Sequence, residues 1–355
     1  MPNISEIDKN FAVESKIQKD NICWIDAKNE QFVLKGVFFD DGCFRRMPGD
    51  VAKSVSAGVE YLHRHTSGGR LLFETDSSYV AVSVRGESSH MCHMAFTGSK
   101  GFDLYIYGDD GRFEYFKTFT PDSRICDEFE NIIEFDGRKR RKIMIHFPLY
   151  GGVEELNIGL ENDAVLEPFD PYADGELWVY YGSSITQGGC ASRPGNNYPA
   201  IVSRSVMKDF LCLGFSGNAH GEDVMADYIA DLPMSLFVLD YDHNDLGEPE
   251  KLAVRHPKLY KKVREKHPDI PVIIMSGPWS KPSVPNPGAR SRAAVLNTYE
   301  EAKKNSDNVY FIDGETMFGT EYPDCATVDG CHPNDFGFVK MADAVLKIVK
   351  ENNLI

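Results

Sequence analysis

The hydrophobic pattern changes character near the middle of the chain. From about residue 20 to 165 it falls into short runs rich in β-branched and aromatic residues, at 71–74, 79–84, 102–107, 142–147 and 156–160. The pairs Asp41-Gly42, Gly68-Gly69, Asp110-Gly111 and Asp136-Gly137 lie between runs and suit turns that need a positive φ. No long stretch repeats apolar residues at helical spacing. Short strands punctuated in this way predict an all-β sandwich or jelly roll.

Beyond residue 175 five compact apolar runs appear, at 177–181, 211–215, 236–240, 272–276 and 309–313, each short enough for a strand buried on both faces. Helical patterns lie between or after them, at 198–208, 224–230, 252–266, 290–304 and 336–350. This alternation predicts an α/β domain whose parallel sheet is covered on both sides. The join at 166–175 carries Pro168, Pro171 and Gly175. It divides the chain into an N-terminal domain over 1–168, a linker over 169–175 and a C-terminal domain over 176–355.

Length and charge narrow the function. A chain of 355 residues is long enough for two domains with ample core, without disulfides or structural metal. Its 38 basic and 54 acidic residues give a net charge of −16, which disfavours nucleic acid and anionic membrane as partners. There is no run of 18 apolar residues, so no membrane-spanning helix is expected. The opening Met1-Pro2-Asn3-Ile4-Ser5-Glu6 has neither a basic start nor an apolar stretch, so no secretory signal is expected. The eight cysteines form no C-x-x-C pair and read as reduced thiols of a cytoplasmic protein; Cys325 and Cys331 are only weakly suggestive of a bridge.

Ligands of an open parallel sheet bind beyond the carboxyl ends of its strands, and four such places hold suggestive residues. After the first run comes Gly182-Ser183-Ser184-Ile185-Thr186-Gln187-Gly188. A serine there is either a helix cap or a nucleophile near backbone N–H groups that favour developing negative charge, and a phosphate cradle is a third reading. After the second run, Ser216-Gly217-Asn218 offers a glycine whose N–H can approach a ligand, or an ordinary turn. After the third, residues 240–245 alternate acids as a calcium loop does. Asp245 and Lys251 occupy the positions of the required glycine and glutamate, which excludes calcium and leaves Asn244 as an amide donor or turn residue. Ahead of the last helix, Asp329 precedes His332 by three residues, a spacing at which a carboxylate can fix the imidazole tautomer. Together these supply a nucleophile, a base, an orienting acid and oxyanion donors.

In that order the four blocks resemble those of the SGNH (GDSL-type) hydrolases. The resemblance implies a flavodoxin-like three-layer domain with a five-stranded parallel sheet. It implies Ser184 as nucleophile, His332 as base and Asp329 as its partner, with an oxyanion hole from Ser184, Gly217 and Asn244. Ser183 stands where the family has an acidic residue, and Asp242 where it has a glycine. Upstream, Gly101-Phe102-Asp103-Leu104-Tyr105 and the segment from His65 to Phe73 resemble a GxDLY-type β-domain found ahead of such hydrolases, a jelly roll similar to a carbohydrate-binding module. Bacterial carbohydrate O-acetyl esterases, acetyl-xylan esterases among them, share this two-domain plan. The substrate so implied is a small acetylated carbohydrate such as an acetylated xylo-oligosaccharide, without metal or organic cofactor, and homo-oligomers are compatible with the resemblance. Alternatives are a general short-chain carboxylesterase or lipase, a non-catalytic carbohydrate-binding protein, and a nucleotide-binding module using 182–188. The pairs His63/His65 and His90/His93 have metal-like spacing but read as structural or surface histidines. Trp279 is either a stacking platform or loop packing.

Overall fold

The computed structural model describes residues 17–87, 91–121, 127–172, 175–281 and 283–355. A pair of antiparallel sheets face each other in the N-terminal half. One runs in the order Ile22–Asp26, Glu155–Glu161, Tyr79–Arg85, Glu128–Glu134, and the other Leu166–Glu167, Arg70–Thr75, Arg141–His146, Phe102–Tyr107, Phe113–Phe119. Alternate residues of each strand point inward, so Val80, Val82 and Val84 meet Leu71, Phe73, Ile143 and Ile145 in one apolar cluster. Asp41 and Gly42, both at positive φ, turn the hairpin of Phe38–Asp40 and Cys43–Arg45.

The second sheet is not left facing water. Leu72, Tyr105 and Met144 on its outer side pack with Tyr172 of the connecting segment, and Met207 of the C-terminal half joins them. Burial on both faces explains why 71–73 reads as a continuous apolar run rather than an alternating one.

The C-terminal half is a five-stranded parallel sheet in the order Asp209–Gly214, Leu177–Gly182, Leu236–Asp240, Val272–Met275, Val309–Ile312. This is the expected flavodoxin-like arrangement. Its strand order reverses at the first strand, Leu177–Gly182, which puts the crevice beyond Gly182 and Asp240. Trp178 and Tyr180 of that strand face the helices Tyr198–Val206 and Asp335–Glu351. Val179 and Tyr181 face Asp223–Ala230, Pro249–Lys266 and Ala289–Lys303.

The two halves share their cores. Two short helices, Gly49–Val55 and Ala57–Leu62, belong by sequence to the β-rich half, yet Ala52, Val59 and Leu62 are buried with the parallel sheet. They are too short for helical periodicity to show in the sequence. Arg46 crosses to the edge strand, where its guanidinium donates to the carbonyls of Cys212 at 2.8 Å and Gly214 at 2.7 Å. Arg70 donates to the Phe210 carbonyl at 2.6 Å and to Asp209 at 2.9 Å. The open hydrogen-bonding side of that strand is thereby capped.

The Gly101–Tyr105 motif forms another clasp. Buried Asp103 accepts from the Gly195 N–H at 2.9 Å, Thr118 Oγ1 at 2.8 Å and Arg193 at 3.2 Å, and Arg193 also donates to the Tyr105 hydroxyl at 2.6 Å. Burial pushes the Asp103 carboxyl up, and these donors oppose it.

Candidate active site

Local sequence builds the nucleophile turn. At Gly182 a side chain would meet Thr186 Oγ1 at 1.9 Å and the Asp240 carbonyl at 2.4 Å, so only glycine lets the chain leave the sheet this tightly. Ser183 is extended, and its hydroxyl accepts from the Ile185 N–H at 3.2 Å, capping the turn Ser184–Gln187. Gly188, at φ 104°, ends it. The serine standing where the family has an acid therefore supplies the cap itself.

Ser184 Oγ lies 2.9 Å from His332 Nε2, and His332 Nδ1 lies 2.7 Å from Asp329 Oδ2. The other carboxylate oxygen accepts the N–H groups of His332 at 2.8 Å and Cys331 at 3.0 Å. Burial alone would raise Asp329, but these bonds from His332 and Cys331 outweigh it and hold the carboxyl down at about 2. An ionised Asp329 accepts from Nδ1–H and so leaves the Nε2 lone pair facing the serine hydroxyl.

Gly217 and Asn244, the further oxyanion donors expected from the sequence, lie in the segments that follow the second and third parallel strands. Gly217 sits at φ 65° with nothing within 4 Å of where a side chain would stand, an open position on its loop. Asn244, in the turn Asp242–Asp245, has its amide nitrogen 3.1 Å from the Phe215 carbonyl and 3.1 Å from that of Ala219. Both amide hydrogens are thus engaged across the base of the Gly217 loop. To donate to a substrate oxygen at Ser184, Asn244 must release one of them.

Several neighbours were not legible as functional. Gln187 accepts from the Ser216 N–H at 3.1 Å and donates to the Leu149 carbonyl at 3.1 Å, and its amide nitrogen lies 3.2 Å from His65 Nδ1. It ties the Gly217 loop to the β-rich half. Burial, then the charge of Arg46, pushes His65 down to about 3, so that ring is neutral. Tyr150 from the same half donates to the Ser184 carbonyl at 3.2 Å. Beneath the turn, buried Asp240 accepts from Thr186 Oγ1 at 2.9 Å and the Tyr198 hydroxyl at 3.1 Å. Burial, followed by repulsion from Asp242, pushes Asp240 up to about 7. Burial lowers His243, but Asp242, 3.5 Å from its Nδ1, and Cys331 prevail and raise it to about 10.

Among the described residues, His63 and His65 belong to no cluster of metal-ligating side chains. His63 Nδ1 lies against the Glu60 carbonyl and His65 against Gln187, while His90 lies outside the described residues. His93 instead lies beside His332, with ring centroids 5.7 Å apart. Trp279 spends its indole N–H on the Lys281 and Val284 carbonyls of its own loop. Cys325 and Cys331 are free thiols.

Both halves of the chain have counterparts among known proteins. Residues 177–350 match the GDSL-like Lipase/Acylhydrolase family, and residues 22–166 match GxDLY, the N-terminus of Esterase_SGNH_hydro-type. Over 157 residues, 44% of this chain, it is 26% identical to GDSL lipase Rv0518 of Mycobacterium tuberculosis, and the match spans only 57% of that relative's length. A Bacteroides ovatus protein described as a GDSL-like lipase is 28% identical, with TM-score 0.83 over 93% of this chain and 98% of its own. The salicylyl-acyltransferase SsfX3 of a tetracycline biosynthetic pathway shares the fold at 20% identity and TM-score 0.78, covering 95% of this chain and 99% of its own. So does the acetyl xylan esterase Est2A of Butyrivibrio proteoclasticus, at 11% identity and TM-score 0.56, covering 93% and 98%.

Proposed function

We propose, from the premise that the chain belongs to the SGNH (GDSL-type) hydrolases and carries their GxDLY-type N-terminal domain, that it hydrolyses esters through an acyl-enzyme on Ser184. The observation that carries this reading is the unbroken hydrogen-bonded line from Ser184 through His332 to Asp329, at 2.9 and 2.7 Å.

In the proposed first step His332 Nε2 takes the hydroxyl proton as Ser184 Oγ attacks the ester carbonyl. The Ser184 and Gly217 N–H groups hold the developing oxyanion, with Asn244 joining when one of its amide hydrogens is released. His332 then protonates the departing alcohol oxygen. Water enters, gives its proton to His332 and attacks the acyl carbonyl, and the imidazolium returns that proton to Ser184 as the acid leaves. No metal or organic cofactor takes part in these steps.

For the substrate we propose a small O-acetylated carbohydrate, with acetylated xylo-oligosaccharides as the first choice. The support is the resemblance of both domains to those of carbohydrate O-acetyl esterases and a fold shared with an acetyl xylan esterase. The test measures acetate released from acetylated xylo-oligosaccharides, acetylated glucose and mannose derivatives, and p-nitrophenyl esters of increasing chain length. Turnover of acetylated sugars above simple esters, lost in Ser184→Ala, is expected. Preference for longer acyl chains would favour a general carboxylesterase or lipase, and sugar binding without turnover a non-catalytic module. Full activity in Ser184→Ala would end the acyl-enzyme reading.

A further inference from the structure

Beside the proposed triad, three metal-ligating side chains from separate segments converge. His93 comes from the β-rich half, Cys190 follows the nucleophile turn, and His332 precedes the last helix. One ligand atom of each lies within 4.8 Å of the other two. The His93 and His332 rings stand 5.7 Å apart, inclined at 46°. Cys190 is buried, and its backbone is held at φ 72°, a left-handed conformation that a residue with a side chain seldom adopts. That strain sits where the chain brings a thiol against the imidazole.

We propose that His93, Cys190 and His332 form an inhibitory site for a soft divalent cation, of which Zn²⁺ is the type. Two imidazoles and a thiolate are a donor set that suits Zn²⁺ and leaves a fourth position for water. His332 is already prepared as a ligand. Its Nδ1–H is directed at the Asp329 carboxylate 2.7 Å away, the support that metal-bound histidines commonly have, and its Nε2 carries the free lone pair. Tetrahedral coordination needs donor atoms roughly 3.5 Å apart. Rotation of the half-buried His93 ring supplies the remaining closure.

The balance is simple. Cys190 gives its thiol proton to solvent as the sulfur–metal bond forms, and the lone pair that accepts from Ser184 in the free protein is donated to the metal instead. The thiolate and the Asp329 carboxylate together offset the two positive charges. Metal binding stands on the cluster itself. Only its inhibitory consequence rests on the triad reading, because His332 cannot serve the serine while coordinated.

The test titrates the full chain with Co²⁺, whose bond to a thiolate gives a charge-transfer absorption, and separately follows p-nitrophenyl acetate turnover as Zn²⁺ is added. The expected result is one Co²⁺ per chain with the thiolate band, displacement by Zn²⁺, and turnover that falls with Zn²⁺ and returns with EDTA. Cys190→Ser should lose the band, and both it and His93→Ala should weaken binding by more than about tenfold. His93→Ala keeps the test readable if Cys190→Ser fails to fold. Absence of the thiolate band in the wild type, or equal Co²⁺ affinity in all three proteins, would overturn the site. The band in a protein that turns over no ester would support the metal site while removing the esterase reading and, with it, the inhibition.

Discussion

Gln187 holds the backbone N–H of Ser216 on its side-chain oxygen at 3.1 Å, which fixes one end of the loop that carries Gly217. The same side chain is anchored at its nitrogen by the Leu149 carbonyl and His65, both from the β-rich half. This amide is therefore one route by which the N-terminal domain reaches the proposed oxyanion loop. Gln187→Ala removes this tie and leaves the nucleophile and base untouched. Misplacement by about an ångström costs roughly 100-fold in rate, so kcat should fall by about 10- to 100-fold with little change in KM. Steady-state kinetics on acetyl esters would check this; an unchanged kcat would mean that the loop holds itself.

Asn244 bridges two carbonyls and is also the side chain expected to stabilise the oxyanion. Asn244→Ala should therefore cost both rate and stability. Losing an oxyanion donor lowers kcat by about 10²–10³, and leaving buried carbonyls without a partner costs about 1–3 kcal/mol. Kinetics and urea unfolding of the same preparation separate the two effects. A stability loss with kcat unchanged would remove Asn244 from the oxyanion hole and leave it as a brace.

The legibility of these features in the sequence follows from how local their physics is. The five parallel strands could be read because burial on both faces makes each a compact apolar run, as at 236–239. Ser184 and the Asp329–His332 pair could be read because each lies in a short segment at a predictable edge of the sheet, although their meeting across 148 positions is a property of the fold. The helices Gly49–Val55 and Ala57–Leu62 could not, since each shows fewer than two turns and packs on a partner far along the chain. Arg46 looks like any surface charge until the edge-strand carbonyls it caps are in view. The direction of the Asn244 amide and the approach of His93 to His332 depend on how loops and domains dock, which periodicity does not encode.

Asp103 tests the joint between the domains. Its carboxylate receives the Gly195 N–H and Arg193 from the segment that follows the nucleophile turn. Asp103→Ala leaves an arginine and a backbone N–H without their acceptor in a buried interface. The expected loss is about 3 kcal/mol or more, read as a lower urea midpoint. Asp103→Asn should recover some of it, because one amide oxygen still accepts. An Asp103→Ala protein as stable as the wild type would show that the clasp contributes nothing.

Asp240 gives the protein a pH dependence of opposite sense to that of a salt-bridged carboxylate. In the folded protein burial and the nearby Asp242 hold it up at about 7, while in the unfolded chain it titrates near the ordinary value of about 4. The folded state therefore binds the extra proton between those values. Asp240's contribution to stability is fully present below about pH 4 and is lost as pH rises through about 7. Asp240→Asn keeps an oxygen for Thr186 and Tyr198 but cannot ionise. Its stability relative to the wild type should rise steadily from pH 4 to pH 7 and level off above. Urea unfolding of both proteins across that range reads the difference directly, and a constant difference would mean that Asp240 does not change its protonation on folding.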